Sequence, residues 1–588
     1  MSAIDRNLKG SRNHFRGKLL VTLIASAIVM SLVMTMLITP APSEGNPPAP
    51  DVPANASYTS HAPISINGNA AFATKALVET WPGDGSAGNP YIIQGYDINA
   101  SSANGIEIDS TTVHFIIRNC YVHDGGGSSY HDGIYLYTVS NGIVSNNTCS
   151  NDYHGIYLYS SSSNNISNNT CSSNGWYGIY LGSSSSNTIN SNNCSSNYYC
   201  DIYLYSSSNN TLSNNTCSNS FYGICLWPSS GNTLINNTLV NDGIWIESSS
   251  GNTLINNTLV NDGIWIESPS ISDWNTHSID TSNTVNGKPV RYYKNQSGIT
   301  IPAGGAGQVI LANCTDFVIE NQNLSETGRG IAIAFSSNII VMNNSCSNSA
   351  GGIYLASSSS NTINSNNCSS NSWHGIYIDS SSNNTISNNN CSDSSQGIYL
   401  CRSSGNTLIN NTCSNNDFGI SLEESSSDNI LSYNNCSSNS WHGIYLGYLS
   451  NNNTIAWNQV CSNTLQGVYI QSGSNNMIWN NTFIGNNGAG SVYDINHIQA
   501  YDGGAGNRWN SSGTPHGYGN YWSDWQGRDF NMDGIQDAPY NITGFLGAKD
   551  FYPLATFAPP IPEFSELIIP IVGLMLIALI FGRTRKKP

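Results

Sequence analysis

Apolar residues return along the chain in short, evenly spaced touches. A unit G-I-x-I/L begins at Gly133, Gly155, Gly178, Asp201 (Asp in place of Gly), Gly223, Gly243 and Gly263. It resumes at Gly330, Gly352, Gly375, Gly397, Gly419, Gly443 and, as G-V-Y-I, Gly467. Successive units lie 20 to 24 residues apart, and the 67 residues between Gly263 and Gly330 read as three more such steps. Each repeat carries two further touches. One is a branched or large residue, as at Val144, Ile166, Ile189 and Leu212. The other follows five residues later, as at Cys149, Cys171, Cys194 and Cys217. Runs this short, alternating with period two between Asn, Ser and Gly turns, are strands rather than helices. Three strands per ~22-residue coil predict an all-β fold: a right-handed parallel β-helix solenoid, with coils stacked at the interstrand spacing. Sixteen rungs at ~4.8 Å make a rod roughly 70–80 Å long.

The stretch SSGNTLINNTLVNDGIWIES at 229–248 recurs at once as 249–268. A solenoid gains such a coil without disturbing its neighbours' register. The copies also interpret the cysteines. The column holding Cys149 to Cys217 and Cys346 to Cys436 holds Leu239, Leu259 and Phe483 in other coils, so it faces the interior and its thiols act as small hydrophobes. Neighbouring rungs are also close enough for vertical disulfides. Cys200, Cys225 and Cys401 lie off the column and are better candidates for pairing or reactivity; Cys461 falls one place beyond Val460. Asn pairs recur as a further column (Asn168, Asn192, Asn214, Asn236, Asn256, Asn343, Asn366, Asn389), and stacked amides there hydrogen-bond from rung to rung. The same N-N-T letters form glycosylation sequons.

Only 9% of the 588 residues are charged and the net charge is −17. A nucleic-acid partner is excluded, because phosphate binding needs a basic face. Basic residues precede an apolar run at Leu19–Ile38, which reads as a signal peptide or an N-terminal anchor. A second apolar run, Leu567–Phe581, is followed by Arg583, Arg585, Lys586 and Lys587, which places the tail in the cytoplasm and the body outside. Pro562-Glu563-Phe564 before it resembles the PEF-CTERM sorting signal of archaeal surface proteins, which implies an archaeosortase-type processing enzyme as a partner; a plain C-terminal anchor is the alternative. The expected organisation runs from signal or anchor (1–41) through a Pro-rich linker (42–60) to a cap with the first coils (61–125). The repeats follow over 126–500, less regular over 271–329, then a capping region with an Asp-rich loop (501–554). A linker (555–566), a transmembrane helix (567–581) and a basic tail (582–588) complete it.

Several motifs together carry a family resemblance: H-A-P-I-S-I (61–66), P-Y-I-I-Q-G-Y-D-I-N-A (90–100), F-I-I-R-N-C-Y-V-H-D (115–124), N-T-V-N-G-K-P-V (283–290) and G-Q-V-I-L-A-N-C-T (307–315). G-N-Y-W-S-D-W (519–525), D-G-I-Q-D-A-P-Y (533–540) and D-F-Y-P-L (550–554) complete the set. Across about 60–555 the chain resembles the NosD-like β-helix family. That resemblance implies the solenoid fold, an extracytoplasmic place and, through the family's label, copper binding. The wider β-helix class includes carbohydrate-binding proteins and sugar hydrolases.

In G-I-Y-L-Y the Ile and Leu face inward, so the tyrosines face outward. They stack as an aromatic stripe of Tyr135, Tyr157, Tyr180, Tyr203, Trp245 and Trp265, with Tyr137, Tyr159, Tyr205 and Trp227 beside it. Such a stripe suits sugar rings or another envelope partner, or else stabilises its own sheet. The duplicated coil places Glu247 beside Glu267 about one strand spacing apart, near the separation of retaining glycosidases, and it pairs Asp242 with Asp262 as a cation candidate. His123, His131 and His154, with His114, Asp124 and Asp132, are the copper candidates. Asp529, Asn531, Asp533, Ile535 and Asp537, with Gly534, match a calcium loop except that Tyr540 stands where a bidentate Glu is expected; an Asx-rich turn is the alternative. The expected function is a surface-anchored, non-catalytic protein that contacts an extracellular polysaccharide or envelope component. A polysaccharide lyase or glycosidase is the first alternative and copper handling the second.

Overall fold

The computed structural model describes residues 58–126, 130–511, 518–544 and 546–556. The apolar segments at 19–38 and 567–581 and the Pro-Glu-Phe motif lie outside the described residues. Among the described residues, no helix is long and apolar enough to cross a membrane.

The chain winds as an all-β parallel solenoid whose three touches become three stacked columns. The G-I-x-L strands pair in register, Ile134 with Ile156 and Ile156 with Ile179, in a nine-stranded sheet. The second touch pairs Val144 with Ile166 and Ile166 with Ile189 in another nine-stranded sheet. The third pairs Cys149 with Cys171 and Cys171 with Cys194. All of these side chains are fully buried. A buried Ile or Leu contributes about 1.5–3 kcal/mol, so a core built by repetition gains stability coil by coil.

Each Asn pair divides its labour between its two members. In Asn214-Asn215, Asn214 takes the left-handed backbone (φ 55°) and is exposed, while Asn215 is buried. Asn tolerates that backbone better than most residues. The buried amide is the rung-to-rung relay: Asn192 Nδ2 donates to Asn215 Oδ1 (3.0 Å), and Asn215 Nδ2 donates to Asn237 Oδ1 (2.9 Å) and to the Ile189 carbonyl (2.9 Å). The expected column therefore mixed two columns. Asn168, Asn214, Asn236, Asn256 and Asn343 have positive φ, whereas Asn192, Asn366 and Asn389 sit in the buried ladders. The sequon acceptor of N-N-T is the first Asn, which at Asn214 is the exposed one. A second amide ladder runs Asn164, Asn187, Asn210, Asn232; the Asn232 backbone N–H then donates to Asn252 Oδ1, and the Asn252 backbone N–H donates to His277 Nδ1 (3.1 Å).

The column thiols are free and buried, as the internal copies imply. Val460 is the interior residue at its rung and Cys461 turns outward. The one disulfide among the described residues joins two off-column positions, Cys200 and Cys225, on adjacent strands. Asp201, beside it in place of the usual Gly, is tied down by Asn197, Ser218 and Ser220.

The solenoid is not continuous across 271–329. The G-I-x-L sheet of the first stack ends with strand Ile264–Glu267. A short helix α2 (Ser272–Asn275) follows α1 (Asn69–Val78) as the second helix among the described residues, and its Trp274 is fully buried against the first core. Strand Thr284–Val285, last of the Cys-column sheet, then folds back antiparallel onto Lys288–Lys294. Lys288–Lys294 pairs in parallel with Gln308–Ala312 and starts a second stack. The second stack's G-I-x-L sheet thus grows from the first stack's Cys-column sheet. Outward residues of its first strands (Ile310, Ala312, Ala332, Ala334) pack into the first core, while Val309, Leu311, Ile331 and Ile333 build a second one. The expected regular steps fail here because a repeat spacing near 22 says nothing about which sheet a strand joins.

Both outer ends are closed by aromatic residues. Phe72 of α1 stacks on Tyr91 (4.9 Å) and lies 5.4 Å from Phe115. At the other end Trp522 continues the thiol column and stacks between Phe483 (4.3 Å) and Tyr540 (4.1 Å), its indole N–H on Asp550 (2.9 Å). Terminal coils need such covers because their stacking face has no neighbour.

Candidate functional site: an aromatic face ending at the junction

The outer face of the first G-I-x-L sheet carries the aromatic columns. Tyr135, Tyr157, Tyr180 and Tyr203 follow one another at 5.0, 4.5 and 5.3 Å between ring centroids. Burial among these rings pushes all four hydroxyls above the ordinary phenol value, so they stay neutral donors. The column is interrupted at the disulfide-bonded Cys225 and resumes at Trp245, which Tyr222 reaches at 4.6 Å. Trp265 stacks on Trp245 (5.7 Å) and is only 2% exposed, and Tyr203 is 8% exposed, so these two members of the expected stripe are core. The neighbouring column is the accessible one: Tyr137, Tyr159, Tyr205 and Trp227 are 37–42% exposed. Gly182 stands between Tyr159 and Tyr205 and leaves a gap in that row.

A third aromatic column was not expected. It lies in the turn before each Gly and runs through Tyr153, Trp176, Tyr199 and Phe221, with steps of 6.5, 6.3 and 5.8 Å. Its signal is present in the letters N-D-Y-H-G, G-W-Y-G, Y-Y-C-D and S-F-Y-G, ahead of the strand units. Acidic groups lie at both ends of the face. Glu107 and Asp109 pair in register with Tyr135 and Tyr137, and Glu247 with Glu267 closes the far end.

At the junction the two glutamates have different surroundings. Glu267 accepts from Arg329 Nη2 of the second stack (2.5 Å). Glu247 accepts only from the Trp245 indole (3.2 Å), and burial together with the Glu267 charge pushes its carboxyl up. The two carboxyls thus differ, one raised by burial and its neighbour's charge, the other held in an ion pair. Arg329 also lies over the rings of Trp265 (4.4 Å) and Tyr354 (4.1 Å), and Trp373 reaches Trp265 at 5.6 Å. Gln308 completes the seam, its amide bonding both the N–H and the carbonyl of Ile264.

The expected metal residues do not assemble. His123 has one ring nitrogen on Asp97 (2.9 Å) and the other on Asp124 (2.8 Å). His131 Nδ1 contacts the Ala100 carbonyl (3.0 Å), and His154, buried against Tyr177, has its Nδ1 on Asp132 (2.8 Å). The imidazoles are thus spent on separate partners, and burial lifts the Cys217 thiol well above its ordinary value. Among the described residues no three His, Cys, Asp or Glu side chains come together to hold a metal. This donor set does not fit copper, which needs converging soft or imidazole ligands. In the Asp529–Asp537 loop the side-chain oxygens bind the loop's own backbone: Asp529 accepts from Gly534 N (2.9 Å), Asp533 from Ile535 N (2.9 Å) and Asp537 from Phe530 N (2.8 Å). These bonds form an Asx-rich turn. Asp242 and Asp262, the expected cation candidates, bond separate partners, with Ser220 N on Asp242 (2.9 Å). Burial pushes their carboxyls up to about 9 and about 6, and Asp262 is occupied by the Trp265 indole.

Solved structures with β-helical resemblance include the DFA-IIIase from Arthrobacter chlorophenolicus A6 in complex with DFA-III, at 12% identity and TM-score 0.28 over 43% of this chain and 74% of that one. The periplasmic alginate epimerase AlgG matches at 11% and 0.23 over 72% and 85%. The catalytic domain of a GH87 α-1,3-glucanase matches at 13% and 0.25 over 63% and 67%. No curated protein matches the chain in sequence. The family model described as "Periplasmic copper-binding protein (NosD)" matches residues 86–295, 282–466 and 374–527, which together span both stacks. The chain belongs to the NosD family.

Proposed function

We propose that this protein is a non-catalytic, cell-surface solenoid that holds an extended polysaccharide or envelope glycan along the outer aromatic face of its first stack. The observation that carries the reading is the exposed row of Tyr137, Tyr159, Tyr205 and Trp227 on a rigid sheet. Aromatic side chains are the usual apolar platform for a partly polar ligand, and a row fixed by strand register loses little freedom on binding. An extracytoplasmic place agrees with the family's periplasmic description. Anchoring by the terminal apolar segments, and archaeosortase-type processing at Pro562-Glu563-Phe564, belong to the same reading.

A catalytic reading has one observation in its favour, the raised carboxyl of Glu247 beside the ion-paired Glu267. Against it, Arg329 holds Glu267 in an ion pair, which removes the free carboxylate that a glycosidase pair requires. The two readings separate in one experiment. Full-length protein is incubated with a panel of polysaccharides, and both retention and new chain ends are measured. Retention without new ends supports the binding protein, and chain cleavage overturns it.

A further inference from the structure

The segment that closes the second stack, residues 523–556, turns several large apolar side chains outward. Its Asp-rich loop is the clearest case. Phe530 and Met532 stand at the loop's tip, 72% and 88% exposed. Single apolar residues at a surface need no explanation. Met532 does, because its backbone is left-handed (φ 58°), a conformation that the turns of this chain give mostly to Asn and Ser. An unbranched apolar side chain gains no local hydrogen bond there. The loop nevertheless fixes the backbone on both sides of it: Asp537 accepts from Phe530 N–H (2.8 Å), and Asp529 accepts from Asp533 N–H (3.2 Å) and Gly534 N–H (2.9 Å). The carboxylates are spent on the loop's own backbone, while the two apolar side chains meet water. Leu546 and Phe551 of the same segment are exposed as well.

The loop also lies where the chain departs. Gln536 N–H donates to the Pro553 carbonyl (2.7 Å) and Ala555 N–H to the Gly534 carbonyl (2.9 Å), with Ile535 bridged to Leu554 between them. Met532 is thus two positions from the residue that holds the exit. Ten residues, 557–566, stand between Thr556 and Leu567, where the apolar run 567–581 with its basic tail begins. Fully extended, they span at most about 33–36 Å. With that run in a bilayer, the exit and the tip beside it stay within this reach of the membrane surface. Charge decides what surface the tip fits. The segment carries five Asp against Arg528 and Lys549, so electrostatic attachment to anionic lipid is ruled out. Shallow apolar insertion remains.

We propose that the closing segment is a membrane foot: Phe530 and Met532 dip into the headgroup region of the bilayer that holds the 567–581 run. Arg528, 5.6 Å from the Phe530 ring, keeps its charge at the headgroups. The contact fixes the end of the second stack against the membrane. It rests on the anchored reading above and is independent of glycan binding.

The test uses the full-length protein reconstituted in phosphatidylcholine vesicles. A Cys461→Ser background removes the one half-buried free thiol, the others being buried. Met532→Cys then carries a thiol-linked fluorophore, and Ser163→Cys, at an exposed turn of the first stack, carries it in the control. The quenchers are acrylamide in the water and a nitroxide-bearing lipid in the bilayer. At Met532 the nitroxide is expected to quench, and acrylamide quenching is expected to be about threefold or more weaker than at Ser163. Adding Phe530→Ser is expected to bring acrylamide quenching back toward the Ser163 value. Both tip side chains are exposed, so these substitutions leave the core untouched. A label at Met532 that acrylamide reaches as freely as at Ser163 overturns the foot. So does shielding without nitroxide quenching, which marks a protein contact, or shielding that appears only when anionic phosphatidylglycerol is added. Protein that fails to float with the vesicles overturns the anchoring and the foot together.

Discussion

The side-chain amide of Gln308 makes with Ile264 the pair of hydrogen bonds that another strand would have made: Ile264 N–H to Oε1 at 2.9 Å and Nε2 to the Ile264 carbonyl at 2.8 Å. An open sheet edge is an invitation to pair with another chain. Here one amide closes it, and the same Nε2 reaches the Arg329 carbonyl at 2.9 Å, so the cap also fastens the second stack. Gln308→Ala should take this partner from three backbone groups, the N–H and carbonyl of Ile264 and the carbonyl of Arg329, and cost about 2–4 kcal/mol. Native-state hydrogen exchange at the Ile264 amide reads the effect locally, and unchanged protection there would refute the cap.

The two members of an Asn pair should respond differently to substitution. Asn214→Gly removes an exposed side chain from a left-handed position that glycine accepts, and should be close to neutral. Asn215→Ala strips the relay between Asn192, Asn237 and the Ile189 carbonyl, and should cost about 3 kcal/mol. Denaturant unfolding of both variants checks the contrast.

Stability should peak in mildly acidic solution. Burial, with the neighbouring Asp201 charge, pushes Asp242 up to about 9, so the folded state holds a proton that the unfolded chain has released, and stability falls as pH rises from about 4 toward 9. Burial pushes His277 down to about 4; its neutral ring donates from Nε2 to the Asp273 carbonyl and accepts at Nδ1 from Asn252. Its contribution is present above pH ~6.5 and is lost as pH falls from there to about 4. Asp242→Asn puts into this turn column the residue found at Asn174 and Asn197, and keeps the acceptor for Ser220 N. It should stabilise the protein by about 1–2 kcal/mol at pH 8, shrinking toward zero near pH 4. Thermal unfolding across pH, with and without the substitution, measures both slopes.

The thiols should be silent in the folded protein. Thirteen cysteines are free, and all but Cys461 are buried. A thiol reagent should label Cys461 at most before unfolding, and thirteen sites after it. Reduction should add Cys200 and Cys225. Rapid native labelling of several column cysteines would contradict an interior column.

Much of this was legible in the letters. The period implies the solenoid, and Leu239, Leu259 and Phe483 mark the thiol column as interior. The outward direction of the strand tyrosines was equally plain. The break after Glu267 was not, because a strand of the right length and spacing carries no label for the sheet it joins. A clue existed: in G-I-A-I-A the outward places hold Ala332 and Ala334 where other coils hold Tyr, as suits a face that will be covered. The junction site escaped for the same reason. Arg329 and Glu267 are 62 residues apart, and only the reversal at residues 284–294 brings them together. The aromatic turn column is masked by the Asn, Ser and Gly that dominate the letters of the turns.

Glycan binding rests on the exposed aromatic row of Tyr137, Tyr159, Tyr205 and Trp227. Its most direct test is the affinity of the full-length triple variant Tyr159→Ala, Tyr205→Ala, Trp227→Ala for the polysaccharide that the wild-type protein retains. The three side chains are 37–42% exposed, so the fold should survive their loss. Affinity should fall about tenfold or more, with unfolding unchanged and no chain cleavage by either protein. Undiminished affinity in the triple variant, or cleavage by the wild type, would contradict the account.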